Sequence, residues 1–593
     1  MPDAADIDWG PDGAPRSRRF QDVYFSTHGG LDESRAVFLQ GCGLPDAWRG
    51  RKRFVVGELG FGTGLNILAL LDLWARERPP GGRLHVFSVE AFPLMALDAE
   101  RALAAWPELG HLAAPLLAGW PTAEGFHRID WPTLGASLDL AVMEAGDALK
   151  AWSGRADAWF LDGFSPARNP DMWREELLAL VAERSAPGAR AATFTVAGAV
   201  RRGLQAAGFQ ISRQPGFGRK AERLEARLPG ERPPEAPAPS VCILGAGIAG
   251  AALARAFKAA GVTPLLIADD TPAASGNPAA LVTPRFDAGG GPPARLHAQA
   301  FARAAALYGA EVPHAVIALG ALQLEVAERD HRRFDTVAAS PLFEPGALDH
   351  LDEAGASRRL GEPRASGGVW ISGGLVVEPR RVLDAWTADC PRTFGRVHQL
   401  SPDQDGWEVR AEDGRLLAVA EVVCLAGGYG SRALWPDLQL EPVRGQASFA
   451  VHRETPTAAA WGGYVIPTRD GLLFGATHDR DREDLEVLPE DHLRNLATLA
   501  QARPTLAASL KSAELQGRAA LRASTPDRGP IASELASGLW TLTGLGGRGF
   551  TLAPLLAEHI VAGVLGAPSP LPSDLAAAVD RRRLTKRPSH TPG

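Results

Sequence analysis

The stretch LPGERPPEAPAPS, Leu228 to Ser240, holds five prolines and shows no apolar periodicity. Proline has no N–H to give to a helix or a sheet, so such a stretch stays extended and separates folded units. A strand and glycine turn, SVCILGAG, begin directly after it, and a matching pair, VVGELGFGTG, lies before it. The chain is therefore read as two α/β units joined by a spacer. At roughly 150 residues per domain, 593 residues suggest three or four domain-sized units. The expected boundaries are 1–228 for the first domain, 229–239 for the linker, 240–575 for the second domain and 576–593 for a basic C-terminal tail.

Composition narrows the partners. Glycine and proline make up about 19%, below the roughly 25–30% typical of low-complexity chains, so disorder is not the dominant state. A net charge of −7 gives no global field that attracts nucleic acid, and any RNA must be held by local patches. The four cysteines, Cys42, Cys242, Cys390 and Cys424, are widely spaced, which excludes a disulfide scaffold and a zinc ribbon. No metal is expected. The acidic start MPDAADIDWG does not read as a signal peptide, and the most apolar stretch, Leu552 to Leu565, contains Glu558 and His559. A cytoplasmic protein without a membrane span is expected.

In the first half, RFVVGEL, LHVFSVE, LDLAVME and ADAWFLD read as buried strands alternating with helices such as NILALLDLWARE. That alternation predicts a parallel sheet covered on both faces. ELGFGTGLN places Gly60, Gly62 and Gly64 between a strand and a helix, with Glu58 at the strand's end. An acid followed by GxGxG suits S-adenosyl-L-methionine, which carries an amino acid and a sulfonium but no phosphate. Glu90 ends the next strand, where an acid binds ribose in doubly wound folds, and Asp147 follows a third strand, within reach of an adenine amino group. In FLDGFSPARNP, Asp162 ends a strand on the same edge. It is either a general base for an amine or a cap for an irregular loop, and spacing alone does not choose.

After the spacer, GAGIAG sets Gly245, Gly247 and Gly250 in the GxGxxG form, and Asp269 ends the following strand nineteen residues beyond Gly250. A pyrophosphate fits the helix N-terminus there and a ribose hydroxyl fits the acid, without a choice between NAD and FAD. ASGNPAALVTP, with Ser275 and Asn277, reads as a loop of small residues against the cofactor. RGQ (Arg444 to Gln446) and TLTGLGGRGFTLAP, with Gly547, Arg548 and Gly549, favour a flavin. The latter opens a helix whose N-terminus can face developing negative charge. GGLVVEP, GWEVRAED, EVVCLAGG and GLLFGATH add strands. The fold class is α/β: an N-terminal Rossmann-like methyltransferase domain, then an FAD-binding Rossmann domain with an interleaved β-rich substrate domain.

PRSRRFQDVYFS, ELGFGTGLN and FLDGFSPARNPDMW resemble the methyltransferase half of the MnmC family of bifunctional tRNA 5-methylaminomethyl-2-thiouridine biosynthesis proteins. VCILGAGIAGAALA, ASGNP, RGQ and LGGRGFTLAP resemble its FAD-dependent half, related to glycine and D-amino-acid oxidases. Ala280 stands where related oxidases often carry glycine. The resemblance implies a tRNA partner modified at the wobble uridine of the anticodon loop. It implies that FAD oxidises the carboxymethyl carbon of 5-carboxymethylaminomethyl-(2-thio)uridine, releasing glyoxylate to leave 5-aminomethyl-(2-thio)uridine. S-adenosyl-L-methionine then methylates that amine to 5-methylaminomethyl-(2-thio)uridine, with Asp162 as base. It also implies that Arg522, five residues before Asp527, grips the substrate carboxylate. The alternatives are pairing of Arg522 with Asp527 or Asp479, and Arg518 in its place.

Basic runs at Arg16 to Arg19, Arg49 to Arg53, Arg201/Arg202 with Arg219/Lys220, and Arg581 to Arg587 read singly as solvated faces. The competing functions are a glycine- or sarcosine-type amine oxidase fused to an N-methyltransferase, and a flavoprotein that binds RNA without turnover.

Overall fold

The structure, a computed structural model, describes residues 4–11, 13–26, 29–218, 220–364 and 366–585. Arg219 and the Lys586–Arg587 end of the last basic run lie outside the described residues. The chain divides into two compact units, Met1–Pro237 with Ala567–Ser573, and Ala238–Gly566 with Asp574–Gly593.

The first unit is built on eight strands. Arg53–Leu59 lies at the centre, parallel to Arg83–Glu90 on one side and Ala156–Leu161 on the other. Ala136–Val142 and Ser185–Thr193 continue the parallel set outward. Gly125–Trp131 closes one edge antiparallel, and Glu222–Arg227 with Gln210–Pro215 closes the other. The central strand shows why the sheet must be covered on both faces. Phe54 and Val56 enter one apolar cluster with Trp74 of helix Leu65–Glu77, while Val55 and Leu59 enter another with Leu149, Trp152 and Leu177. Successive side chains of a strand point to opposite faces, so an unbroken apolar run fills both. The proline-rich stretch has no regular secondary structure from 229 to 240. It is nevertheless tied to this unit, because Glu235 accepts the N–H groups of Lys52 and Arg53 and Arg232 pairs with Asp157.

The second unit interleaves two sheets. Five strands of a six-stranded sheet run parallel, in the order Arg392–Phe394, Leu265–Ala268, Val241–Leu244, Val422–Leu425, Leu539–Thr543, with Ile531–Ala536 antiparallel at the edge. The intervening segments supply a nine-stranded, mostly antiparallel sheet that includes Val316–Leu324, Gly368–Val377, Glu441–Val451, Gly471–Gly475 and Gln516–Ser524. Helices Ile248–Ala259 and Pro292–Glu311 pack against Gly549–Leu565. Within those helices Arg255 and Arg303 both pair with buried Glu558, and Arg255 also binds Glu311. No helix among the described residues is long and apolar enough to cross a membrane.

Candidate active sites

In the first unit, a cavity of about 1180 Å³ opens at the carboxyl ends of the parallel strands. Gly60 and Gly62 line it. Gly60 has φ +88°, and a Cβ there would lie 3.1–3.2 Å from the backbone of Asp162 and Gly163. Only glycine lets the first turn approach the Asp162 loop so closely. Gly64 does not line the cavity. It caps helix Leu65–Glu77 in the left-handed region and packs on Phe61 and Leu116.

The acids divide into two groups. Glu90 lines the cavity with its carboxylate held by the N–H groups of Gly62 (3.0 Å) and Phe92 (2.9 Å), and burial raises its pKa. Asp162 also lines it, accepting from its neighbour Gly163 N–H and from Asn66 Nδ2, both at 2.8 Å. Asn66 in turn accepts from Ser34 Oγ at 2.6 Å. Burial pushes the Asp162 pKa up to about 6 against these hydrogen bonds, which leaves the carboxylate mostly ionised at neutral pH and more basic than usual.

The other two acids lie outside the lining. Glu58 is fully buried beneath the turn, bonded to Ser88 Oγ at 2.5 Å, and burial pushes its pKa up to about 8. Asp147 faces solvent and pairs with Lys150 at 3.6 Å. The acid of that loop that lines the cavity is Glu144, which caps helix Ala145–Ala151 and binds Arg174 at 2.8 Å. In MEAGDA two acids stand three residues apart, and the helix start decides which one stays at the edge.

Aromatic rings complete this cavity, a role that the spacing of these residues does not reveal. Phe20 stacks on Phe164 at 4.8 Å, Tyr24 meets Phe164 edge-on at 5.2 Å, and Arg19 lies 4.1 Å over Phe92. The residues sit in FQDVYFS and FLDGFSP.

In the second unit, a cavity of about 1130 Å³ is lined by Gly245, Gly247, Asp269, Ser275, Asn277, Arg522, Gly547, Arg548 and Gly549. Gly250 stands behind it, where a Cβ would fall 1.8 Å from the Gly245 carbonyl oxygen, so it serves close packing of helix on strand. Ser275 Oγ accepts the N–H of Ile248 at the helix start (3.0 Å), and Asp269 accepts that of Thr271 (3.0 Å). Arg548 donates to the Thr283 carbonyl at 3.0 Å, and burial lowers its pKa to about 10, still cationic at neutral pH. Ala280 also lines the cavity, so its methyl group is accommodated.

Arg522 projects from strand Gln516–Ser524 into this cavity, and no hydrogen bond or ion pair to it is found among the described residues. Its alternative partners are engaged elsewhere: Asp527 with Arg583 at 2.8 Å, and Asp479 with Arg494 at 2.8 Å. Arg518 holds the Ser275 loop through Asn277 Oδ1 at 3.1 Å and does not line the cavity. Tyr464, His478 and Arg396 line it as well, unassigned by spacing. RGQ is structural: Arg444 is fully buried and binds Asp491 at 2.7 Å, and Gln446 brackets Leu488.

Both cavities fit the ligands their motifs suggest. The first offers carboxylates to a cationic, hydroxyl-bearing ligand. The second offers a glycine turn at a helix N-terminus, an acid after the next strand and guanidinium groups.

Two enzymes therefore share the chain, a methyltransferase and a flavin-dependent oxidoreductase. Residues 107–229 match the family described as S-adenosyl-L-methionine-dependent methyltransferase, and residues 240–562 match FAD dependent oxidoreductase. The first match contains Asp162 but begins after Gly60, Gly62 and Glu90. The tRNA 5-methylaminomethyl-2-thiouridine biosynthesis bifunctional protein MnmC of Caulobacter sp. (strain K31) is 57% identical over 99% of this chain and 98% of its own. The protein of that name from Maricaulis maris (strain MCS10) is 40% identical over 100% and 98%. Glycine oxidase from Geobacillus kaustophilus shares the fold of the second unit at a TM-score of 0.50 and 20% identity, covering 58% of this chain and 98% of its own. The chain belongs to the MnmC family of bifunctional proteins.

Proposed function

We propose that this enzyme remodels the wobble uridine of tRNA in two steps, oxidative removal of a carboxymethyl group and then N-methylation of the amine left behind. The observation that carries this reading is the presence, in one chain, of a guanidinium without an ion-pair partner among the described residues in one cavity and a poised carboxylate in the other. The names of the relatives supply the tRNA and its 5-methylaminomethyl-2-thiouridine product.

In the second unit, Arg522 holds the substrate carboxylate with two parallel donors, fixing the adjacent methylene toward the cofactor. Bound there, FAD supplies the two-electron acceptor for the hydride leaving that carbon. The iminium left on the substrate then takes up water and releases glyoxylate and a proton, leaving 5-aminomethyluridine. Arg548 and the start of helix Gly549–Leu565 give the site a positive potential.

In the first unit, Asp162 accepts a proton from the ammonium form of that amine, freeing the nitrogen lone pair for the methyl group that S-adenosyl-L-methionine supplies. Asn66 and the Gly163 N–H fix the carboxylate's orientation. Glu90 is the acid placed for ribose hydroxyls. We infer that the enzyme works in the cytoplasm, where tRNA is modified.

The test is nucleoside mass spectrometry on tRNA bearing 5-carboxymethylaminomethyl-(2-thio)uridine. The protein alone should yield the 5-aminomethyl nucleoside, and the protein with S-adenosyl-L-methionine the 5-methylaminomethyl nucleoside. Unchanged tRNA together with rapid oxidation of free glycine or sarcosine would instead indicate a small-molecule enzyme.

A further inference from the structure

Outside both cavities, the second unit brings together two histidines and two carboxylates from three successive elements. Glu325 follows strand Val316–Leu324, His331 and Asp335 lie one turn apart on helix Glu328–Ala338, and His350 sits on strand Leu348–Leu351. Glu325 Oε1 is 2.7 Å from His350 Nε2 and 3.0 Å from His331 Nδ1. One ligand atom from each of these three residues lies within 4.8 Å of the others. On its far side the His350 ring meets Asp335, with Nδ1 2.6 Å from Oδ1.

We propose that Glu325, His331 and His350 form a binding site for one divalent transition-metal ion of zinc type, with Asp335 orienting His350 from behind. Two imidazoles and a carboxylate are the ligand set that zinc accepts while keeping a fourth position open. A hydrogen bond from Nδ1 to Asp335 leaves the Nε2 lone pair facing the shared point, as a carboxylate behind a ligating histidine does. Ligand bonds of about 2.0–2.1 Å in a tetrahedron put ligand atoms about 3.3 Å apart, so the two Glu325 pairs need open by only tenths of an ångström and the His331–His350 pair close by up to about 1.5 Å.

The surroundings favour a fixed site. The Glu325 backbone is held at both ends, its N–H by the Gly367 carbonyl at 3.1 Å and its carbonyl by Ser366 Oγ at 3.0 Å. The Glu325 and His350 side chains are only 10% and 12% exposed, whereas His331 is 65% exposed, so the open position faces solvent. None of the three lines the flavin cavity. The ion therefore acts as a clip, tying the helix and the short strand to the end of the long one. Searching for cysteine spacing misses such a site, because its ligands are separated by 5 and 18 intervening residues and meet only in the folded sheet.

The experiment uses the full-length, flavin-loaded protein, stripped with a chelator, dialysed and titrated with ZnCl₂ by calorimetry, with CoCl₂ as a spectroscopic second probe. Wild type should bind one Zn²⁺ at this site, gain thermal stability, and develop the intense visible absorption of low-coordinate Co²⁺. The double variant Glu325→Gln/His331→Asn should lose about 10–100-fold or more in affinity for that ion. His331→Ala, at a side chain that is 65% exposed, should do so with its flavin spectrum intact. Equal Zn²⁺ binding by wild type and His331→Ala, or no binding by wild type, would overturn the proposal and leave His350 an ion-paired clamp between two carboxylates.

Discussion

The two cavities are nearly equal in volume, about 1180 and 1130 Å³, but opposite in the sign of the net charge that lines them. The first sets seven carboxylates, Glu90, Glu144 and Asp162 among them, against four cations, and the ligand proposed for it carries a sulfonium. The second gathers Arg396, Arg522 and Arg548 against the single carboxylate of Asp269 in its lining, and the ligands proposed for it carry a pyrophosphate and a substrate carboxylate. A strand–glycine–helix turn is common to both, so the turn sets where a ligand sits and the charges around it set which ligand. The proposed product of the basic site is an amine, and the acidic site is the one equipped to receive an amine.

The largest effect that would sharpen this contrast is loss of a cofactor from one side only. Gly247 faces the cavity next to Ser275, and the branched side chain of Gly247→Val would occupy the space of the pyrophosphate. The purified variant should lack flavin absorption and all oxidation while methylating 5-aminomethyluridine tRNA at the wild-type rate. Retained colour would detach this turn from the flavin.

Next in size is Asp162→Ala, which should bind S-adenosyl-L-methionine nearly normally and lose about 10²–10⁴-fold in methylation. Because the base form is required, the wild-type kcat/KM should rise with pH through about 6. That limb should vanish in the variant, and unchanged kinetics would reduce Asp162 to a loop cap.

Arg522→Lys comes third. Replacing a two-donor clamp with a point charge removes a charge-assisted hydrogen bond worth about 1.5–3 kcal/mol. Oxidation efficiency should fall by about tenfold to a hundredfold, read as kcat/KM, with flavin content and methylation intact.

The smallest effects concern the acids outside the first cavity. Asp147→Asn should change S-adenosyl-L-methionine affinity by less than about twofold, as expected of a solvent-exposed side chain, whereas Glu90→Gln should weaken it clearly. Burial holds the Glu58 carboxyl protonated between its ordinary 4.5 and about 8. Its contribution to stability is therefore present at acid pH and lost as pH rises through that window. Glu58→Gln should flatten this dependence in thermal melts while keeping the cofactor site. A large loss of cofactor affinity in Asp147→Asn would mean that the exposed acid turns inward on binding.

How far the sequence could be read followed the same division. The second site lies mainly on short local segments, so Gly245, Gly247, Asp269, Ser275 and the Gly547–Gly549 turn could be placed from spacing. Arg522 required a family resemblance, because a lone arginine on a strand carries no local signal. In the first unit the strands were legible as apolar runs, but the facing of an acid near a strand end depends on one residue of register. That is why Glu58 falls beneath the turn and Glu144 takes the place expected of Asp147. The aromatic contacts of Phe20 and Tyr24 with Phe164 join segments about 140 residues apart, beyond any periodicity.

Two sites of opposite charge in one chain are thus proposed to act in sequence on one nucleoside. The most direct measurement is nucleoside mass spectrometry of carboxymethylaminomethyl-tRNA treated with Asp162→Ala, with Arg522→Ala, and with the two mixed, all with S-adenosyl-L-methionine present. Expected are 5-aminomethyluridine from the first, unchanged 5-carboxymethylaminomethyluridine from the second, and 5-methylaminomethyluridine restored by the mixture. The same nucleoside from both variants, with no product from the mixture, would contradict it.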